Sequence, residues 1–401
     1  MIVNMHRIDN IDIKNKRVLI RVDFNVPIID GQITSHFRII KTLDTIKYCL
    51  DNNAKIILIS HLGRPKGKDE NYSLFPIYKY LKSIFSNRCV LFSNDPISDL
   101  SISTSLKMKS KDIHLLENLR FYEEEASDSS IFSERLSRHG EVYVNDAFGT
   151  SHRKHASNAS ILKFLKVRGI GFLLDSELKY LSNFDLNSDR KISLILGGAK
   201  VSSKLGIIKY FINKANYIII GGAMSYTFLK AKGFDVGNSL VEENMLEDAN
   251  FIIKEAKKYN TRICLPIDAV CSNKISEKSI CVEKNIEFID SDEIGLDIGK
   301  KTIDLFSQTL KNSDLIIWNG PMGVFEIPLF SRGTRKIAQI IAEYTKVKDV
   351  KSIIGGGDTA SAIIDLNMEL SFTHVSTGGG ASLELLSGKT IELIKSWRNY
   401  E

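Results

Sequence analysis

Ten short runs rich in Ile, Val and Leu recur along this chain, at 17–24, 55–60, 113–119, 141–148, 191–196, 216–222, 262–268, 314–320, 351–357 and 372–377. Most are continuously apolar rather than alternating, which is the pattern of strands buried on both faces. Helix-like segments lie between many of them, as at 176–184, 203–215, 242–259 and 333–345. Strand and helix in alternation predict an α/β fold with parallel sheets. Ten strands exceed one comfortable open sheet, so two sheets in two domains are expected. The helical pattern after Gly171, ending in NFDLNSDR, reads as a connector and hinge.

Composition narrows the function. The 401 residues are 43% hydrophobic, enough for a large core, and the net charge of +6 is mild for that length. It suits anionic small substrates, whereas a nucleic-acid binder carries a denser basic patch interleaved with aromatics. Cys49, Cys89, Cys264, Cys271 and Cys281 form no CxxC pair and no zinc-like spacing, so they read as reduced cytosolic thiols. The N-terminus lacks the apolar core of a signal peptide. No run approaches the ~18 apolar residues of a membrane span. The expectation is a cytoplasmic protein without membrane or nucleic-acid partners.

In the second half, the apolar runs end in glycine: KISLILGGAK, NYIIIGGAM, KSIIGGGDT and FTHVSTGGGAS. Glycines after a strand let backbone approach a ligand closely, and amides opening the next helix suit phosphate. Asp358 and Thr359 add the oxygen ligands that a phosphate-bound Mg²⁺ prefers. If a helix begins near Lys200, Lys200 and Lys204 share one face at i,i+4 spacing. Glu326, after NGPMGVF, either holds ribose hydroxyls or caps its loop. There is no GxxxxGK[ST] phosphate loop. Gly355, Gly357 and Ala360 match G-x-G-x-x-A, but the next strand end is STGGG and lacks the acid a dinucleotide site requires.

In the first half the strand ends carry charge: Arg21, Asp23 and Asn25, then His61 and Arg64, then Arg120, then His152, Arg153 and His155, with Arg38 after a turn-like DGQITS. Any single arginine is more often a solvated surface charge. The same placement after several strands points instead to one cleft beyond the carboxyl ends, where open α/β sheets bind ligands. Arginine's planar fork matches carboxylate and phosphate. Asp23 either orients an arginine or caps a turn.

RVDFNVP, SHLGRPKG, LLENLRFYEEE, VNDAFGTSHRKHAS, GGAKVSSKL, WNGPMGVFE, GGGDTA and STGGGASLELLSGK together resemble the phosphoglycerate kinase family, in its order and over nearly the whole chain. The resemblance implies two Rossmann-like domains facing a cleft. Residues 1–171 would bind phosphoglycerate, 172–188 would form connector and hinge, 189–385 would bind nucleotide, and 386–401 would return to the first domain. The implied reaction is reversible phosphoryl transfer between 1,3-bisphosphoglycerate and Mg-ADP, giving 3-phosphoglycerate and Mg-ATP, by a monomer whose cleft closes. Asp23, Phe24, Asn25, Arg38, His61, Leu62, Gly63, Arg64, Arg120 and Arg153 would hold phosphoglycerate. Lys204, Gly295, Glu326, Gly356, Gly357, Asp358 and Thr359 would hold nucleotide, with Asp358 on Mg²⁺. Arg38, Lys204, Lys200, Gly378 and Gly379 would stabilise the moving phosphoryl group. Ser203 stands where the family usually has an acid. The stretch 101–112, which also departs from the family, reads as a surface loop and adjacent helix.

Overall fold

A computed structural model describes residues 5–182 and 190–400. The chain forms two compact units, Met1–Lys179 with Thr390–Glu401, and Tyr180–Lys389. In the first unit six parallel strands lie in the spatial order Val90–Ser93, Ile113–Leu116, Lys55–Ile59, Arg17–Val22, Val142–Asp146 and Arg168–Ile170. The chain leaves Arg17–Val22 to one side for its next strands and returns on the other with Val142–Asp146. The carboxyl end of Arg17–Val22 is therefore a topological switch point. The second unit has six parallel strands in the order Arg262–Cys264, Tyr217–Ile220, Ile192–Leu196, Leu315–Asn319, Lys351–Gly355 and His374–Val375. This is the doubly wound 3-2-1-4-5-6 order, with its switch between Ile192–Leu196 and Leu315–Asn319. Both of those strands are buried at every residue, which is why their sequences are apolar without alternation apart from the buried Ser193 and Asn319. Each fully buried Ile or Leu contributes about 1.5–3 kcal/mol.

All ten apolar runs contain strand, but RICLPID is two elements. Its first strand stops at Cys264. Pro266 follows, and proline has a fixed φ and no N–H to continue a ladder. Asp268–Ser272 then belongs to a separate antiparallel sheet, between Val282–Asn285 and Ile294–Ile298. That sheet escapes a reading by apolar runs because Val282–Asn285 is polar and largely exposed. The edge strand Arg168–Ile170 escapes because it has three residues. Segment 101–112 is also more than surface. Ser98 caps the helix Asp99–Leu106, which buries Ser101, Ile102 and Ser105.

The helix expected at 176–184 begins earlier, at Phe172, and is described to Ser182; the rest of NFDLNSDR, through Asp189, lies outside the described residues. Its first turns are tied to the first unit. The Phe172 amide donates to Thr45 Oγ1 (2.9 Å), the Leu174 amide donates to Asp146 Oδ1 (3.0 Å), and Phe172 meets Tyr48 edge to face. Tyr180 stacks on His374 of the second unit at 4.8 Å. The two units divide between Lys179 and Tyr180, inside this helix. The C-terminal segment rejoins the first unit: the Leu393 amide donates to the Ser151 carbonyl (2.9 Å), and the Arg168 guanidinium lies over the buried Trp397 ring. Among the described residues no helix is long and apolar enough to cross a membrane.

Candidate active site

In the first unit the charged residues gather at the switch point. Arg38, in the first turn of the helix Phe37–Asp51, places Nη1 2.9 Å from the Asn25 carbonyl and 3.3 Å from Asp23 Oδ2. The Asn25 side chain accepts from the Gly63 amide at 2.9 Å, and Arg120 Nη1 donates to the Gly63 carbonyl at 2.5 Å. The Asn118 side chain holds the turn by accepting from the Leu62 and Arg120 amides and donating to the Leu62 carbonyl. Arg153 Nε donates to His152 Nε2 at 3.2 Å. Burial, then repulsion by Arg64, Arg21 and Arg38, lower the Arg153 pKa, so these cations share one field. Burial and the neighbouring Arg153 push Arg120 down to about 10. Arg64 is exposed, while Arg38, Arg120 and Arg153 are half-buried. Phe24 and Leu62 turn their side chains into the core, and their backbone groups are bonded within the fold, to Ser60 and Val26 and to Asn118.

Arg21 is an exception. It is fully buried, donating from Nε to Ser157 Oγ (2.8 Å), to the Val22 carbonyl and from Nη2 to His61 Nδ1 (3.2 Å). Glu125, also fully buried, lies 4.0 Å from the Arg21 guanidinium. Burial pushes the Glu125 carboxyl up and Arg21 pulls it back. Burial and the surrounding arginines drive His61 well below the usual imidazole range, so it is neutral at pH 7. Nothing in the local pattern EEE marks Glu125 as the buried one. A carboxylate adjoining a set of cationic motifs was the only signal available.

In the second unit the glycine turns converge, and they do so for two different reasons. Gly197 and Gly320 pack backbone on backbone. A Cβ on Gly197 would sit 2.1 Å from the Pro321 carbonyl oxygen, and one on Gly320 (φ +101°) 2.2 Å from that of Gly197. These glycines hold the switch point shut. At the start of the helix Gly357–Asp365 the case differs, since Gly357 opens on empty space. Gly379 lies beside it, a Cβ there falling 3.6 Å from the Gly357 amide. The Gly378 amide donates to Ser376 Oγ. The Thr359 hydroxyl is buried and accepts from the Gly320 amide at 2.6 Å, so its side chain is engaged within the fold.

The helix expected near Lys200 starts instead at Leu205, with Lys204 as its N-cap. Lys200 therefore lies in the preceding loop, and the two lysines do not form an i,i+4 pair. Residue 203 acts locally there: Ser203 Oγ donates to the Lys200 carbonyl at 2.8 Å. The Lys204 ammonium donates to Asn319 Oδ1. Burial lowers Lys204 to about 8, against the opposing pull of Asp358. Asn319, inside WNGPMGVFE, is not among the residues expected at the site. It is fully buried, and its Nδ2 has no hydrogen-bond partner. A Cβ on Gly356 would fall 2.9 Å from that nitrogen. Beside these turns is a pocket of 290 Å³ lined by Gly198, Ala223, Tyr226, Leu240, Gly295, Val324, Glu326 and Asp358. Gly295 leaves room for Tyr226, whose hydroxyl would lie 1.7 Å from a Cβ at that position. A larger pocket of 390 Å³, around Leu229 and Phe234, shares no lining residue with it and none with the glycine turns.

The sequence model of the phosphoglycerate kinase family matches residues 8–389. The chain belongs to the phosphoglycerate kinase family. A phosphoglycerate kinase of Dictyoglomus turgidum is 47% identical over 381 residues, 95% of each chain, and one of Clostridium kluyveri is 43% identical over the full length of both. Among solved structures, a phosphoglycerate kinase from Coxiella burnetii aligns with a TM-score of 0.84 at 34% identity, covering 98% of this chain and 99% of that one. One from Pyrococcus horikoshii aligns with a TM-score of 0.86 at 28% identity, covering 99% of each. These full-length phosphoglycerate kinase matches agree with the two parallel sheets described above.

Proposed function

We propose that the chain transfers the acyl phosphate of 1,3-bisphosphoglycerate reversibly to Mg-ADP, giving 3-phosphoglycerate and Mg-ATP in glycolysis. The observation that carries the reading is the arginine cluster at the first unit's switch point. Arg38, Arg64, Arg120 and Arg153, with the His61 and Asn25 side chains, supply charge and donors for a triply or more negative three-carbon substrate, Asp23 supplies an acceptor for its hydroxyl, and the Gly63 backbone ties Asn25 to Arg120. In this reading the second unit holds the nucleotide. Its 290 Å³ pocket takes the base and ribose, with Gly295 and Glu326 lining it, and Gly356, Gly357, Asp358, Thr359 and Lys204 take the phosphates.

The chemistry calls for no general base. The donor is already an activated acyl phosphate and the acceptor oxygen is already ionised, so alignment and charge neutralisation suffice. Arg38 and Lys204 serve the transferring group, assisted by Lys200 and the amides of Gly378 and Gly379. Among the described residues no group of three or more His, Cys, Asp or Glu could hold a metal. One exposed carboxylate, Asp358, beside open glycine amides fits a Mg²⁺ that arrives on the nucleotide and keeps phosphate and water oxygens as its other ligands. When bound, that ion offsets phosphate charge.

We read the protein as a cytoplasmic monomer whose units close on their substrates, which also excludes water from the acyl phosphate. Small-angle scattering should show contraction with both substrates bound; an unchanged radius of gyration would sink the closure step. The decisive assay couples ATP formation to ADP and 1,3-bisphosphoglycerate. Turnover should require both substrates and Mg²⁺, and its absence would overturn the proposal.

A further inference from the structure

Beneath the arginine cluster is a buried chain of polar groups that the transfer itself does not use. Glu125, in the short helix Glu123–Ala126, accepts from the Ser157 amide (3.0 Å) and the Ser157 hydroxyl (2.6 Å). Ser157 Oγ accepts from Arg21 Nε, and Arg21 Nη2 meets His61 Nδ1 at 3.2 Å. Glu125, Ser157 and Arg21 are all fully buried. A buried ion pair of this kind contributes little net stability, because desolvation offsets the attraction. Its best-attested use is to fix geometry.

That geometry dictates the state of His61. A guanidinium only donates, so the imidazole nitrogen facing it must be the lone pair. A proton on Nδ1 would point donor at donor. The other groups around His61 reinforce this. Asp23 Oδ1 lies 3.7 Å from Nδ1, beyond a hydrogen bond, and Arg38, Arg120 and Arg153 all oppose a positive charge on the ring. The remaining proton is then on Nε2, which has no hydrogen-bond partner among the described residues.

We propose that Glu125 is a positioning residue of the phosphoglycerate site: through Ser157 and Arg21 it holds His61 as the neutral tautomer protonated on Nε2, so that the ring offers a ligand oxygen a hydrogen-bond donor. The inference rests on the reading that the arginine cluster binds phosphoglycerate. His155 Nδ1 is also buried near this carboxylate, 3.8 Å from Glu125 Oε1, but makes no hydrogen bond to it.

Long-range ¹H–¹⁵N spectra of the ligand-free full chain test this, with His61 assigned from its loss in His61→Gln. The wild type should show His61 protonated on Nε2 alone, without titration between about pH 6 and 8. In Glu125→Gln the His61 signals should shift toward mixed tautomers. KM for 3-phosphoglycerate should rise about tenfold, the scale of losing an outer partner of a ligating histidine, with KM for Mg-ATP within about twofold. Glu125→Asp, which keeps the charge, should move both readouts less. A wild-type His61 protonated on Nδ1, or an imidazolium, overturns the proposal, as does an unchanged His61 spectrum in Glu125→Gln. If that variant does not fold, the wild-type spectrum still decides. The underlying site reading fails separately: it falls if titrated 3-phosphoglycerate leaves the His61 and arginine signals unmoved, whatever the tautomer.

Discussion

Arg38→Ala is the perturbation that most directly tests the first unit's role. Arg38 is held by one nitrogen only. Nη1 lies 2.9 Å from the Asn25 carbonyl and 3.3 Å from Asp23 Oδ2, while the side chain remains 25% exposed. The rest of the fork is preorganised and unengaged among the described residues. A unit charge 4 Å from a phosphoryl oxygen interacts by ~4 kcal/mol at the effective dielectric of a protein surface. Removing a preorganised donor aimed at developing charge costs about 2.7–4 kcal/mol in transition-state stabilisation, or ~10²–10³-fold in kcat. The same substitution strips Asp23 of its nearest cation, leaving a carboxylate that is 3% exposed with His61 at 3.7 Å. Leaving such a group unsatisfied costs about 1–3 kcal/mol of stability. The two losses are separable. Coupled-assay initial rates, normalised to folded protein, report the first, and thermal unfolding reports the second. Arg38→Lys, which keeps charge but loses the planar fork, should fall between wild type and alanine. A kcat for Arg38→Ala within about threefold of wild type, even with a lowered Tm, would refute the assignment and leave Arg38 a structural partner of Asp23.

Two further outcomes follow from titration. Lys204, lowered by burial to about 8, is charged below that pH and neutral above it, so kcat/KM for the nucleotide should fall as pH rises through about 8. Lys204→Arg should abolish that fall, and a flat wild-type profile there would refute the proposed role of the lysine at the nucleotide phosphates. His114 and His139 share Ser105 Oγ (2.9 and 2.6 Å), and burial lowers them to about 3 and about 4. Their folded pKa values lie below the unfolded ~6.5, so the stability they carry is complete above pH 6.5 and is lost as pH falls from there toward 4. The loss approaches ~1.4 kcal/mol per pH unit per histidine. Urea unfolding at pH 7, 6 and 5 should show a shallower decline in the double variant His114→Gln/His139→Gln than in wild type; parallel declines would contradict it.

The fold was largely legible because its signals are local. A strand buried on both faces is mostly apolar without alternation, so Ile192–Leu196 and Leu315–Asn319 announce themselves despite Ser193 and Asn319. A turn that brings backbone onto backbone, as at Gly197 and Gly320, must be glycine. What escaped had no such local constraint. The polar strand Val282–Asn285 looks like loop, and the break at Pro266 assigns neighbouring residues to different sheets only once the chain is folded.

By itself the sequence determined the α/β class, the two parallel sheets, the family, and the set of side chains available at the strand ends. It could not rank those side chains, because burial and distance are properties of the folded chain. Arg21 and Arg38 are both arginines near the end of one strand, yet folding turns the first inward onto Ser157, Glu125 and His61 and leaves the second half-exposed beside Asp23. Lys200 and Lys204 have helical spacing, yet the helix starts only at Leu205. Asn319 and Glu125 lie inside motifs that carry the family resemblance, yet nothing in those motifs marks their burial or their partners. Tertiary packing removes water from both, and a polar group without water must be partnered or costs free energy; that requirement is what turns position into role.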